Sequence, residues 1–155
     1  MDAALKARIV SVIEAGQDLT LATLRPDGAP QATTVSYASD GLDIYFGCGA
    51  QSQKARNLAH DSRVSLTITL PYRVWDEIRG ISAFARARRL ETPDELARAG
   101  ALFLKKFPGE LEQHLNSGVG EMIMFRLTLE IVSLLDYARG FGHTELARGE
   151  ELAPA

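Results

Sequence analysis

The chain has 155 residues, of which 46% are hydrophobic and 24% charged, and its formal net charge is -3 at pH 7. This length predicts a single domain over residues 1–155, and the slightly acidic balance argues against nucleic acid as a partner. No apolar run is long enough for a signal-peptide core or a membrane span, so we expect a cytoplasmic protein without a membrane partner. The single cysteine, Cys48, and the three scattered histidines match no metal-ligand spacing, so no metal site is expected.

The first third of the sequence predicts one helix followed by strands and tight turns. Apolar residues at helical intervals predict an amphipathic helix over residues 2–15. Runs rich in β-branched and apolar residues follow at residues 19–24, 31–38 and 42–48. The pairs Asp27-Gly28 and Asp40-Gly41 supply the positive φ of hairpin turns, which predicts a three-stranded antiparallel meander.

The rest of the sequence predicts three more strands with helices between them. The elements are a helix over residues 52–60, strands over 63–69 and 78–90, a helix from Thr92 to about Phe107, a short helix after Gly109, and a last strand through 123–131. Six antiparallel strands do not fit a parallel doubly wound sheet, so we expect a small, mainly β (α+β) barrel. Only the tail after about Glu145 has the composition of a loosely held segment.

The stretch FGCGAQSQKARNLAHD, residues 46–61, leaves a strand through small residues and enters a helix at Ser52. One interpretation is structural, because the Ser52 hydroxyl is well suited to cap the helix. The other is functional. Small residues up to Gln51 leave backbone N–H groups open, so a phosphate could bind there with Ser52 as hydroxyl donor and Lys54 as counter-charge. Both interpretations stay open at this point.

Other residues are weaker candidates. A glycine such as Gly80 weakens a strand unless something must approach its backbone closely, which makes the pair Arg79-Gly80 suggestive. Cys48 and Trp75 are more typical of packing residues than of a nucleophile or a ligand contact. The stretch Gly140–Thr144 holds an aromatic residue between two glycines, which predicts a loop shaped against a ligand or a second subunit. No motif identifies a catalytic acid, base or nucleophile, so an enzyme with this sequence would depend on a cofactor.

Two longer runs resemble a known protein family. They are LATLRPDGAPQATTVSYASDGLDIYFGCGAQSQKARNLAHDSRVSLTI and IRGISAFARARRLETPDEL. A Gly-x-Pro turn, a strand ending in Ile-Tyr-Phe, a Ser-x-Lys-Ala-x-x-Leu helix start and an Asp-x-Arg-Val-Ser-Leu strand follow one another. This order resembles the pyridoxamine 5'-phosphate oxidase-like family of flavin-binding proteins over about residues 5–135. The resemblance implies a six-stranded antiparallel split β-barrel with flanking helices.

The resemblance also implies a homodimer with FMN in grooves at the subunit interface, each lined by both chains. In such proteins the helix start binds the FMN phosphate, and strand residues flank the flavin and its ribityl chain. Together with the Arg79-Gly80 pair, the candidate cofactor-binding residues are Thr33, Thr34, Val35, Ser36, Gly47, Cys48, Gln51, Ser52, Gln53, Lys54, Arg79 and Gly80.

The chain differs from the oxidase at two positions of the phosphate site. Gln31 and Gln53 stand where the oxidase has arginines, and the C-terminal arginine and histidine that hold the vitamin phosphate in the oxidase are not recognisable. The resemblance therefore implies an FMN-dependent oxidoreductase that acts on an unidentified small molecule, with no catalytic residue assigned. The alternatives are a non-catalytic flavin-binding carrier or sensor, and a split barrel that binds deazaflavin or haem.

Overall fold

The fold is α+β and consists mostly of strands, in a computed structural model that describes residues 2–114 and 120–152. The helices are α1 (Ala3–Ala15), α2 (Gln53–His60), α3 (Pro93–Lys106) and α4 (Pro108–His114). The strands are β1 (Asp18–Leu24), β2 (Pro30–Ser36), β3 (Ala38–Asp40), β4 (Asp43–Gly49), β5 (Arg63–Thr69), β6 (Arg79–Arg89), β7 (Met122–Asp136) and β8 (Thr144–Arg148). These elements confirm the mainly β prediction and most of the predicted element positions.

The strands form one antiparallel sheet in the order β2-β1-β5-β6-β7-β4-β3, and β8 pairs with β7. The 15-residue β7 pairs with β6 on one side and with β4 and then β8 on the other. Strands β2 and β3 stand at opposite ends of this order, yet only Tyr37 separates them in the chain. The sheet therefore curls until its two ends come together, which gives an antiparallel half-barrel with helices on its flanks.

The predicted three-stranded meander is wrong, because the predicted strand over residues 31–38 is two strands. The strand is interrupted at Tyr37, whose buried hydroxyl donates to the carbonyl oxygen of Ile13 at 2.5 Å. The break lets β2 pair with β1 while β3 pairs with β4. An aromatic anchor between two strands leaves no trace in the alternation of polar and apolar residues, so the sequence pattern could not separate them.

The segment after Glu145 also differs from its prediction. Instead of a loose tail, residues 144–148 form β8 along the second half of β7. Ala147 and Leu152 are buried in the main core, which anchors this segment through residue 152. With β3 and β8, the described part of the chain has eight strands where the sequence predicted six.

The main core fills the inside of the curled sheet, and α1 covers it with Ile9, Val12 and Ile13. A second, smaller cluster lies outside the sheet, where Tyr45 and Leu90 pack against Ala99 of α3. The predicted capping box of α3 is present, with Thr92 and Glu95 bonded to each other's backbone amides. None of the helices in the described residues is long and apolar enough to cross a membrane.

Candidate functional site

A groove of about 420 Å³ lies on the outer face of the sheet, where α3 and α2 approach β2, β4 and β7. We call it the α3 groove, and its lining residues are Thr34, Val35, Ser36, Gly47, Lys54, Leu96, Gly100, Phe103, Met122 and Met124. Its volume is within the range of about 300–1,000 Å³ that is usual for small-molecule sites. The groove is thus large enough for a cofactor of moderate size.

Strand alternation determines which side chains reach the groove floor. On β4, Phe46 and Cys48 point into the main core, so Gly47 faces outward. A Cβ atom placed on Gly47 would lie 2.8 Å from Sδ of Met124, so the glycine lets the methionine lie against the strand. The result is a smooth floor with a thioether sulfur on it.

The walls of the groove are largely apolar. Helix α3 contributes Leu96, Gly100 and Phe103, and β7 contributes Met122 and Met124. Leu96 is 40% exposed and Met122 is 54% exposed, although both are large apolar side chains. A ligand with a broad apolar surface would bury both of them, which is favourable by about 25 cal/mol per Å² of apolar area.

The polar groups of the groove are concentrated at β2 and α2. Thr34 and Ser36 offer hydroxyl groups, and Lys54 is the one charged residue among the described residues that line the groove. Lys54 lies in the first turn of α2, which begins at the N-cap Ser52. The Ser52 hydroxyl accepts from the Ala55 amide at 3.3 Å, so the structural interpretation of Ser52 as a cap is confirmed.

Beside this cation lies a hydrogen-bond network centred on Asn57, which is fully buried. Gln53 Nε2 donates to Asn57 Oδ1 at 2.8 Å. Asn57 Nδ2 donates to Thr23 Oγ1 at 2.9 Å and to Gln31 Oε1 at 3.1 Å. Gln31 and Gln53 are therefore engaged with the same asparagine, and no cation stands at either position.

The structure brings five of the twelve candidate residues into the groove: Thr34, Val35, Ser36, Gly47 and Lys54. Gln51, Ser52 and Gln53 lie immediately before Lys54, at the start of α2, and do not line the groove. Thr33 lies next to groove residues on β2 but is not among the lining residues, and Cys48 is buried in the main core.

Arg79 and Gly80 lie outside the groove, at the start of β6. Arg79 donates to Ser11 Oγ at 2.9 Å. A Cβ atom on Gly80 would lie 2.4 Å from the carbonyl oxygen of Ile68 on β5. The close approach that the glycine indicated therefore exists, and the neighbour is the backbone of strand β5.

The Gly140–Thr144 stretch forms part of an exposed aromatic cluster on another part of the surface. Phe141 is 71% exposed, and its ring centroid lies 5.9 Å from that of Trp75 and 5.4 Å from that of Tyr137. Trp75 is 67% exposed and is thus not the buried anchor that its residue type suggested. His143 Nε2 lies 3.3 Å from Glu145 Oε2.

Sequence reasoning missed the groove residues contributed by α3 and β7. Two signals for them exist in the chain. Gly100 lies within α3 among residues that favour helix, and an isolated glycine in a helix usually has a packing or functional reason. Met122 and Met124 are two of the three methionines and stand on one face of the last strand.

The curled antiparallel sheet with helices on its flanks defines a split β-barrel. The sequence profile of the pyridoxamine 5'-phosphate oxidase family matches residues 5–135, and the chain belongs to that family. This confirms the resemblance drawn from the sequence. A comparison with curated protein sequences found no match.

Solved structures share this fold. A haem-binding protein from Mycobacterium smegmatis superposes with a TM-score of 0.78 at 27% identity, covering 98% of this chain and 60% of that one. The chain thus spans less than two thirds of that protein. The conserved hypothetical protein Rv2991 from Mycobacterium tuberculosis superposes with a TM-score of 0.75 at 28% identity, covering 99% of this chain and 95% of that one. The haem storage protein HutZ from Vibrio cholerae superposes with a TM-score of 0.68 at 20% identity, covering 81% of this chain and 90% of that one.

Proposed function

We propose that this protein binds a planar conjugated cofactor in the α3 groove and that haem is its first candidate ligand. In this proposal the protein is a haem-binding split barrel and does not oxidise pyridoxamine phosphate. The observation that carries the proposal is the charge of the groove: Lys54 is the one charged residue on its described walls.

A single cation suits carboxylates on a large apolar ring better than it suits a phosphate dianion. Phosphate sites gain most from several charge-assisted hydrogen bonds, commonly from arginine. Here Gln31 and Gln53 are neutral and bound to Asn57, so neither is available as a phosphate cation. Haem presents a wide apolar face, which fits the walls of Leu96 and Phe103, and carboxylates that Lys54 can pair with.

The methionines add a second element of fit. Thioether sulfur is an established ligand of haem iron, and Met124, whose Sδ lies on the groove floor beside Gly47, would be the residue to hold the iron. When bound, haem would supply an iron centre for electron transfer or oxygen chemistry. The residues of this chain would bind the ring between apolar walls, exclude water from its faces and pair with its acidic side groups.

The comparison with the Mycobacterium smegmatis protein supports the same choice. That protein binds haem, and the part of it that aligns with this chain, 60% of its length, is 27% identical. The likeness to HutZ, at 20% identity, concerns the fold alone.

FMN is the second candidate, and one observation favours it. Lys54 stands in the first turn of α2, directly after the capped start at Ser52, and helix starts of this kind favour phosphate. With FMN bound, the protein would be a flavin-dependent oxidoreductase that acts on an unidentified small molecule. The thioethers and neutral glutamines would then have no role in binding the cofactor.

Parallel titrations of the apoprotein with haemin and with FMN, followed by absorption spectra, test the proposal. We expect a shifted haem Soret band at one equivalent of haemin and weaker binding of FMN. Met124→Leu keeps the apolar volume, so it should retain haem and change the spectrum of the iron. Met122→Leu, at the exposed mouth of the groove, is the matched control and should leave the spectrum unchanged. Stoichiometric FMN binding without haemin binding would establish the second candidate instead, and binding of neither would refute both.

A further inference from the structure

A second cavity, of about 780 Å³, lies on the other side of Ser36 and Phe103, which line both it and the α3 groove. We call it the Lys106 cavity, because Lys106, the last residue of α3, stands in its wall. Its other chemically relevant lining residues are Glu14, Phe103, Phe107, Glu110 and His114. The functions proposed for the groove use none of the titratable groups of this cavity.

Lys106 is held in an aromatic and partly buried environment. Its Nζ atom lies 3.7 Å from the centroid of the Tyr37 ring and 5.3 Å from that of Phe107. The same atom donates to the carbonyl oxygen of Tyr37 at 2.9 Å. Burial lowers the pKa of this ammonium group to about 8, against the opposing effect of the Asp18 carboxylate.

The hydrogen bond from Lys106 to the Tyr37 carbonyl does not prevent the amine from acting as a nucleophile. A neutral lysine amine has two N–H groups and one lone pair, and the Tyr37 carbonyl accepts one N–H. The lone pair is therefore not used by this contact. Lysine amines whose pKa is lowered by desolvation are the ones that form Schiff bases with carbonyl compounds.

We propose that Lys106 is the nucleophile of a second binding site, which captures small aromatic aldehydes as a reversible Schiff base. The Nζ lone pair attacks the carbonyl carbon, a C–N bond forms, and the carbonyl oxygen takes up a proton to give a carbinolamine. The nitrogen gives up one of its two protons. The oxygen takes up a second proton, the C–O bond breaks, and the oxygen leaves as water. A protonated imine results, and its remaining N–H can stay bonded to the Tyr37 carbonyl. No oxidant or reductant is consumed.

The cavity also indicates which aldehydes are favoured. Phe103 and Phe107 lie with ring centroids 6.2 Å apart and offer apolar surface to an aromatic ring. Glu14 and Glu110 line the same space, so a neutral aldehyde should bind better than an anionic one. Glu110 Oε2 lies 3.4 Å from His114 Nε2, and both residues line the cavity. The site needs no cofactor in the α3 groove.

Reductive trapping tests the proposal on the intact protein. The chain is incubated with benzaldehyde or 4-formylbenzoate and cyanoborohydride near pH 7.5, and the labelled lysines are located by peptide mass spectrometry. Lys6, Lys54 and Lys105 are the other lysines and serve as internal references. With the pKa near 8, the neutral fraction of Lys106 exceeds that of an ordinary lysine on the order of a hundredfold. If nucleophilicity falls with pKa as it does for thiols, about tenfold faster labelling remains.

We expect benzaldehyde to label Lys106 about tenfold faster than Lys105. 4-Formylbenzoate is anionic, so it should label Lys106 more slowly than benzaldehyde does. Lys106→Arg keeps a cation that can donate to the Tyr37 carbonyl, so it should fold normally and lose only this label. If that variant does not fold, the distribution of label on the unmodified chain decides alone. Equal labelling of all the lysines would overturn the proposal.

Discussion

Asn57 Nδ2 and Gln31 Oε1 are joined by a hydrogen bond of 3.1 Å, although 26 residues separate them in the chain. The bond connects the middle of α2 to the edge strand β2, and through Gln53 it reaches the first turn of the same helix. The network therefore fixes α2, and with it Lys54, against the wall of the α3 groove. Gln31 and Gln53 themselves carry no charge, which distinguishes this site from one that binds a phosphate with cations at these two positions, and Arg56 donates to Gln53 Oε1 at 2.9 Å.

Removing the centre of this network should destabilise the fold. Asn57→Leu keeps the volume but removes the hydrogen bonds that Asn57 makes to Thr23, which is 2% exposed, and to both glutamines. Leaving such groups unpaired costs about 1–3 kcal/mol. Chemical denaturation measures the loss, and Gln113→Leu, at an exposed position on α4, is the control. Equal unfolding free energies for the two variants would show that the network contributes nothing to stability.

Lys54→Ala should weaken binding of the acidic side groups of the cofactor without harming the fold. A hydrogen bond to a charged group contributes about 1.5–3 kcal/mol, so the dissociation constant should rise roughly 10- to 150-fold. Added salt should weaken the wild-type complex more than that of the variant, because it screens an exposed ion pair. Isothermal titration at two ionic strengths measures both effects.

Two further variants separate binding from folding at this helix start. Ser52→Ala removes the cap of α2 and should cost about 1 kcal/mol of stability, and because Lys54 lies in the first turn of that helix, it should also lower affinity. Lys105→Ala removes a lysine that does not line the groove and should change neither quantity. A lower melting temperature for Lys54→Ala with unchanged affinity would mean that Lys54 serves the fold.

The unfolding free energy should rise with pH because of Lys106. Its pKa is about 8 in the folded protein and higher in the unfolded chain, so the unfolded state binds more protons between these values. Stability therefore increases from about pH 8 to about pH 9.5. Measurements should stop there, because burial raises the pKa of Tyr37 above its usual range and Tyr37 acts in the opposite direction at higher pH.

Lys106→Met should abolish this increase, while Lys105→Met should retain it. Urea unfolding at several pH values provides the comparison. Parallel stability curves for Lys106→Met and the wild type would show that the ammonium of Lys106 does not experience the burial described above.

We also propose that the protein is a homodimer, as members of its family are expected to be. Trp75 and Phe141 form an exposed aromatic surface, with 67% and 71% of their area accessible in the single chain. Light scattering of a dilute sample should give about twice the chain mass of 16.9 kDa. A measured mass of one chain would contradict the proposal.

Local signals in the sequence predicted most elements, and distant contacts determined the rest. The alternation of β5 and the Thr92 capping box are properties of neighbouring residues, and both elements lie where they were predicted. The break at Tyr37 depends on a contact with Ile13, which is distant in sequence. The same holds for the groove, since Lys54 could be identified from its helix start, but Phe103 and Met124 become its neighbours only after folding.

If the cofactor lies in the α3 groove, Gly100→Leu should block its binding. Gly100 lines the groove, and a Cβ atom placed there meets nothing within 4 Å, so α3 can accept a side chain that fills the space. Gly109→Leu, at an exposed glycine of α4 that is equally open, is the matched control. Spectral titration with haemin, repeated with FMN, should show binding lost in Gly100→Leu and retained in Gly109→Leu. Unchanged affinity in Gly100→Leu would mean that the cofactor does not bind in the α3 groove.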